Sequence, residues 1–231
     1  MSRSVLTLGG LTPFSTVDYP GHLAAVLFTQ GCPLRCRYCH NAHLQQRTPA
    51  PGVDWRATIA WLRRRRGLLD AVVFSGGEPT IQPGLADAMA EVAELGFAIG
   101  LHTAGTHPQL LAKMLPLLDW VGMDVKAPFD RYAAITGSAG SGVRARRAME
   151  SVLASGVSHE FRTTVHSALL DAEDLLAIAG ELHAHGVRRW VLQAFRTTGR
   201  RDAELLAQTD TGLLNATLPS LSRLVADIVI R

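Results

Sequence analysis

The chain has 231 residues, 47% of them apolar and 19% charged, with a formal net charge of +3. That balance excludes a low-hydrophobicity disordered chain and a strongly basic nucleic-acid binder, and it supplies one sizeable core. No apolar run approaches the ~18–20 residues of a membrane span, and Met1–Gly10 lacks the apolar centre of a secretory leader.

Taken in order, short apolar or β-branched runs alternate with helical patterns. Leu23–Phe28 reads as the first strand and ends at Gly31 and the cysteines. Val53–Arg66 has helical spacing and closes on Arg63–Arg66, a cationic run suited to a helix C-terminus before Gly67. Ala71–Phe74 is a second strand, running into Ser75-Gly-Gly-Glu-Pro79, and Gly84–Leu95 a second helix. Phe97–Leu101 leads to His102-Thr-Ala-Gly105, Pro108–Leu118 is helical with Thr106 as its expected N-cap, and Trp120–Met123 leads to Asp124-Val-Lys126. Val143–Ala154, the strand Glu160–Val165, the helix Ala172–His185 capped by Asp171, and the strand Trp190–Phe195 complete the set. Gly96, Gly156 and Gly186 sit where helices stop.

Strict alternation implies βαβ units with right-handed crossovers, hence a mostly parallel sheet. Six units are too few for the usual eight-stranded barrel, so the fold class is α/β, a partial (β/α)6 TIM-like barrel that stays laterally open. One domain is expected over 1–231, with a core of about 11–196 and a helical C-terminal tail over 202–231 that carries Pro219.

The run Cys32-Pro-Leu-Arg-Cys36-Arg-Tyr-Cys39 holds all three cysteines of the chain. An odd, tightly spaced set argues against a disulfide framework and for a reducing compartment, which predicts a cytoplasmic protein. Three thiolates cannot close a four-ligand metal site. A cubane cluster on them would leave one iron open. The cysteines, Gly76-Gly77-Glu78, His102-Thr103, Asp124-Val-Lys126 and Arg162 all fall at or just after strand C-terminal ends, the edge where parallel α/β folds bind ligands. Taken singly, the glycine pair is equally a strand–helix turn, and Asp124 with Lys126 a surface ion pair worth about 0–1 kcal/mol.

Cys-x3-Cys-x-aromatic-Cys after one strand and Gly-Gly-Glu-Pro after the next resemble the radical S-adenosylmethionine superfamily. Thr16-Val-Asp-Tyr-Pro-Gly21, Phe28-Thr-Gln-Gly-Cys32, Tyr38-Cys-His-Asn41, Phe74–Thr80, Met123–Pro128 and Glu160–Thr164 resemble, more narrowly, the activating enzymes of glycyl-radical proteins. The nearest branch is the activating protein of anaerobic ribonucleoside-triphosphate reductase, with pyruvate formate-lyase-type activation as the main competitor. The likeness runs from about Leu11 to Phe195.

The resemblance implies that Cys32, Cys36 and Cys39 hold three irons of a [4Fe–4S] cluster. The open iron would take the amino nitrogen and carboxylate of S-adenosyl-L-methionine. Tyr38 would border the adenine, and Gly76, Gly77 and Glu78 would lie at the methionine amino group. Thr103, Asp124, Lys126 and Arg162 would complete the cofactor set, Lys126 suiting its carboxylate as a point charge and Arg162 its carboxylate or its ribose. The implied chemistry is one-electron cleavage of the sulfonium to methionine and a 5′-deoxyadenosyl radical, which takes hydrogen from a glycine Cα of a partner protein. His40 abuts the cluster motif. The chain has no cysteines for a second cluster, so electrons are expected from a separate donor such as flavodoxin or ferredoxin. His102 and Ala104 stand where relatives carry Asp and Asn. The Asp helps hold a monovalent cation, for which a histidine is a poorer ligand, so that cation site is called into question. Gln193 or Arg196 stands near a relative's adenosine-facing histidine. Two other readings compete: a radical enzyme acting on a small molecule of deazapurine type, and a non-catalytic metal or electron-carrier module.

Overall fold

The computed structural model describes residues 6–46, 53–195, 205 and 212–231. Eight strands form one sheet in chain order. The strands are β1 (Leu8–Ser15), β2 (Ala24–Thr29), β3 (Ala71–Gly76), β4 (Ala98–Thr103), β5 (Trp120–Asp124), β6 (Ser158–Val165), β7 (Arg189–Ala194) and β8 (Asp227–Ile230). β2 through β8 are parallel, and β1 runs antiparallel to β2. β1 and β8 are the two edges of this sheet, which therefore stays open.

Six of the strands stand where the sequence predicts them. The two additions are both edges. β1 carries Gly9, Gly10 and Pro13, residues that weaken a strand pattern and are tolerated at an edge. β8 corrects the expectation of a wholly helical tail. The helix Gly212–Leu221 does form, but Asp227–Ile230 then pairs with β7 as a further parallel strand. Residues 202–204 and 206–211 of that tail, like Arg196, lie outside the described residues.

Among the described residues the α-helices are α1 (Trp55–Arg63), α2 (Leu85–Ala93), α3 (Pro108–Met114), α4 (Tyr132–Thr136), α5 (Ser141–Ser155), α6 (Ala172–Ala184) and α7 (Gly212–Leu221). Asp54 caps α1 by accepting from the Ala57 N–H at 2.7 Å, and Asp171 with Asp174 makes a reciprocal capping box on α6. The expected cap of α3 is corrected: His107 holds that position without a side-chain capping bond to the helix, Thr106 Oγ1 pairs instead with His107 Nδ1 at 2.8 Å, and Pro108 pre-sets the first turn. Arg63 closes α1, and the Arg65 guanidinium lies 5.0 Å from the centre of the Trp61 ring.

Alternation along the strands divides the core in two. Ala25, Leu27, Val72 and Phe74 pack with the helices, whereas Tyr19, Ala24, Val26, Ala71, Val73 and Trp120 form a smaller apolar floor on the opposite face. Above that floor the same face turns polar. Among the described residues, no helix is long and apolar enough to cross a membrane.

Candidate active site

A cavity of about 260 Å³ opens at the C-terminal end of the parallel strands. The three cysteines, Tyr38, Gly76, Gly77, Thr103, Asp124, Lys126 and Arg162 all line it, so the structure brings together ten of the eleven residues predicted from sequence. The exception is Glu78. It is fully buried, and both carboxylate oxygens are spoken for: Oε1 accepts from Thr80 Oγ1 and Thr103 Oγ1, each at 2.6 Å, and Oε2 from the Ala104 N–H at 2.9 Å. Glu78 therefore lies beneath the cavity lining and not on it. Through these hydrogen bonds it ties the β3 loop to the β4 loop beneath the cavity.

The cysteine loop is pinned by its backbone. Gly31 N–H donates to Leu44 O at 2.7 Å, Cys32 N–H to Gln45 O at 3.1 Å, and Arg35 N–H to Thr136 O at 2.8 Å. The Arg35 guanidinium turns back on the Cys32 carbonyl at 2.8 Å and the Leu34 carbonyl at 2.9 Å. The glycine pair faces this loop. A Cβ at Gly76, whose φ is +114°, would lie 2.3 Å from Thr29 N, and one at Gly77 would lie 2.1 Å from Gly31 O. Both glycines are thus required by the backbone beside them before any ligand is considered.

The opposite wall is ionic. Asp124 Oδ2 meets Lys126 Nζ at 2.9 Å, and Oδ1 accepts from Arg162 Nη2 at 2.9 Å and Nε at 3.1 Å. Arg162 also donates to Gly122 O at 3.2 Å. Burial by itself would raise the Asp124 pKa, but Lys126 and Arg162 outweigh it and hold the carboxyl well below the usual range. One carboxylate against two cations leaves the wall net positive. Lys126 Nζ also lies 5.4 Å from the centre of the Tyr38 ring, which crosses from one wall to the other. Tyr38 itself is only 5% exposed, so any contact it makes with a ligand is narrow.

Burial pushes the Cys32 thiol up to about 12 and raises that of Cys36 as well. Such thiols become thiolates only when a cation joins them. Among the described residues no three His, Cys, Asp or Glu side chains are placed to hold a single metal ion. A cubane asks each sulfur for a different iron, so convergence on one point is not its requirement. The donor set of three soft sulfurs at one mouth, with a carboxylate-seeking cationic wall opposite, fits a cluster and its cofactor.

His102 is held within the protein. Its Nε2 pairs with Asp18 O at 2.8 Å and its Nδ1 with Ser75 Oγ at 3.3 Å. Burial and Arg162 push its pKa down to about 4 against the pull of Asp18, so it is neutral near pH 7. Several cavity residues carried no sequence prediction: Asp18, Ser75 and Thr164 among them. Asp18 lies inside Thr16–Gly21, a motif the sequence singled out without giving its aspartate a role. Gln193 and His40 also line the cavity.

Residues 26–173 match the Radical SAM superfamily. A Methanocaldococcus jannaschii protein carrying the name glycyl-radical enzyme activating enzyme is 33% identical over 184 residues, covering 74% of this chain and 73% of that protein. A pyruvate formate-lyase-activating enzyme of Clostridium pasteurianum is 35% identical over 127 residues, 52% of this chain and 53% of that enzyme. In fold, the chain is similar to Streptococcus suis SuiB bound to S-adenosylmethionine, with a TM-score of 0.65 at 13% identity over 87% of this chain and 48% of SuiB. The chain thus spans about half the length of the last two. With its cysteine loop, glycine pair and ionic wall on one cavity, the chain belongs to the radical SAM superfamily, in the family of glycyl-radical enzyme activating enzymes.

Proposed function

We propose that this protein cleaves S-adenosylmethionine reductively and installs a glycyl radical on a partner enzyme, the anaerobic ribonucleoside-triphosphate reductase. The observation that carries the reading is the cavity itself: three thiols on one wall face the Asp124–Lys126–Arg162 triad on the other. Cys32, Cys36 and Cys39 would hold the cluster. Lys126 and Arg162 would draw the cofactor carboxylate, while Asp124 keeps both cations from swinging away. Gly76 and Gly77 offer backbone without side chains at the mouth. When bound, the cluster and cofactor supply one-electron cleavage of the sulfonium and hydrogen abstraction from a glycine Cα of the partner. The protein's share is binding, orientation and exclusion of water. Its three cysteines leave none for a second cluster, so a separate donor, flavodoxin or ferredoxin, delivers the electron in a reducing, cytoplasmic setting. The motif pattern supports the reductase as partner, and the similarity to the Clostridium pasteurianum enzyme supports a pyruvate formate-lyase-type partner as the second reading.

The test is anaerobic reconstitution with iron and sulfide, reduction by dithionite and addition of S-adenosylmethionine. Release of 5′-deoxyadenosine with a cofactor-dependent change in the cluster EPR signal is expected. A glycyl-radical EPR signal on the co-incubated reductase, and none on the lyase, then assigns the partner. A stable cluster or bound zinc without cofactor cleavage overturns the reading.

A further inference from the structure

One short helix touches both walls of the cavity. α4 is only five residues long, too short to persist without tertiary partners. At its start Tyr132 is 1% exposed and absent from the cavity lining. Its hydroxyl accepts from the Lys126 backbone N–H at 2.9 Å and donates to the Asp124 carbonyl at 3.1 Å. One side-chain oxygen thereby closes both backbone groups that flank Val125. At the other end the Thr136 carbonyl accepts the Arg35 N–H at 2.8 Å, between Cys32 and Cys36. Thr136 Oγ1 bonds the Tyr132 carbonyl at 2.9 Å and Ser141 Oγ at 2.7 Å, which locks the helix onto α5.

We propose, on the reading of the cavity as an S-adenosylmethionine site, that α4 is the brace that sets the cysteine loop against the Asp124–Lys126 turn, and that Tyr132 is a positioning residue for the cofactor. The hydroxyl lies behind the cavity lining. It orients the backbone from which Lys126 and Asp124 project, and a lysine with four rotatable bonds reaches a fixed point only from a fixed Cα. The turn is otherwise held from β6, by the Val125 N–H donating to Arg162 O at 2.8 Å and by Thr163 Oγ1 donating to Val125 O at 2.6 Å. Neither of these two bonds reaches Lys126 N–H or Asp124 C=O, the two groups that the Tyr132 hydroxyl holds.

Tyr132→Phe tests this, since it keeps the ring that stacks on Phe129 at 5.9 Å and deletes only the oxygen. In the reconstituted protein the Kd for S-adenosylmethionine should rise about tenfold, because two buried backbone groups lose their partner. The KM should rise with kcat nearly unchanged, iron content should stay constant, and the Lys126 amide should exchange faster with deuterium. Leu182→Ala is the comparison: it opens a cavity in the core at α6, costs at least as much thermal stability, and should leave the Kd alone. Unchanged affinity in Tyr132→Phe, or an equal loss in Leu182→Ala, overturns the positioning role alone. A wild-type protein that binds no S-adenosylmethionine overturns the cavity reading and the positioning role with it.

Discussion

The two walls of the cavity are built by different physics. The wall from β2 and β3 is backbone against backbone: Gly77 N–H donates to Thr29 O and Glu78 N–H to Gly31 O, each at 2.9 Å, with no room for a Cβ between them. The wall from β5 and β6 is charge against charge, on side chains that keep some solvent. Asp124 retains 32% of its side-chain exposure, and Lys126 and Arg162 retain 9% each. The first wall is intolerant of an added atom whatever its polarity. The second tolerates a change of shape but responds to a change of charge. A substitution therefore reports on which wall it strikes by what it destroys, the fold and cluster together or the cofactor affinity alone.

Gly77→Ala should break the backbone wall outright. The new Cβ meets a carbonyl oxygen that cannot swing aside, so a loss of about 4 kcal/mol or more is expected, together with loss of bound iron. Normal iron content and an unchanged melting temperature would refute the rigid-wall account. Glu78→Gln comes next. It puts an amide NH2 among donors that now meet a carboxylate, and should cost about 3 kcal/mol in a denaturant titration. A cost confined to cofactor binding would instead return Glu78 to the ligand.

Lys126→Met removes a charge and keeps most of the stem. Affinity for S-adenosylmethionine should fall by about ten- to a hundredfold while iron content is retained, read by anaerobic calorimetry and iron analysis. If iron is lost in parallel, the two walls are not separable. His102→Gln should have the smallest effect, and a pH-dependent one. The His102 pKa is about 4 in the folded protein against 6.5 ordinarily, so the unfolded chain binds the extra proton between those values. Its contribution to stability is complete above about pH 6.5 and drains away as the pH falls toward 4. Unfolding curves across that window should be flatter for His102→Gln. Identical slopes in variant and wild type would show that some other group titrates there.

Much of this was legible in the residues themselves. The short apolar runs at Ala71–Phe74 and Trp120–Met123 identify central strands, because a strand buried on both faces needs little else to specify it. The edges were not legible: β1 mixes glycine and proline into its pattern, and Asp227–Ile230 is four residues whose pairing depends on β7 being adjacent. In the site, the cysteines and charged residues announced themselves by type. Tyr132 did not, since a buried tyrosine in a chain reads as core until its hydroxyl is seen against Lys126 and Asp124. Asp18 was hidden for a related reason. Its contact with His102 joins residues 84 apart in sequence.

By itself the sequence determined the parallel α/β scaffold, the strand ends that carry chemistry and the three-thiolate loop. Each of these depends on periodicity or residue type within a short window. Only the tertiary structure decided that Glu78 is a fastening beneath the cavity, that the glycine pair answers first to Thr29 and Gly31, and that α4 links the walls. Those roles are set by which backbone groups come within hydrogen-bond or van der Waals distance once the sheet has formed, and such distances belong to pairs of remote segments rather than to any one of them.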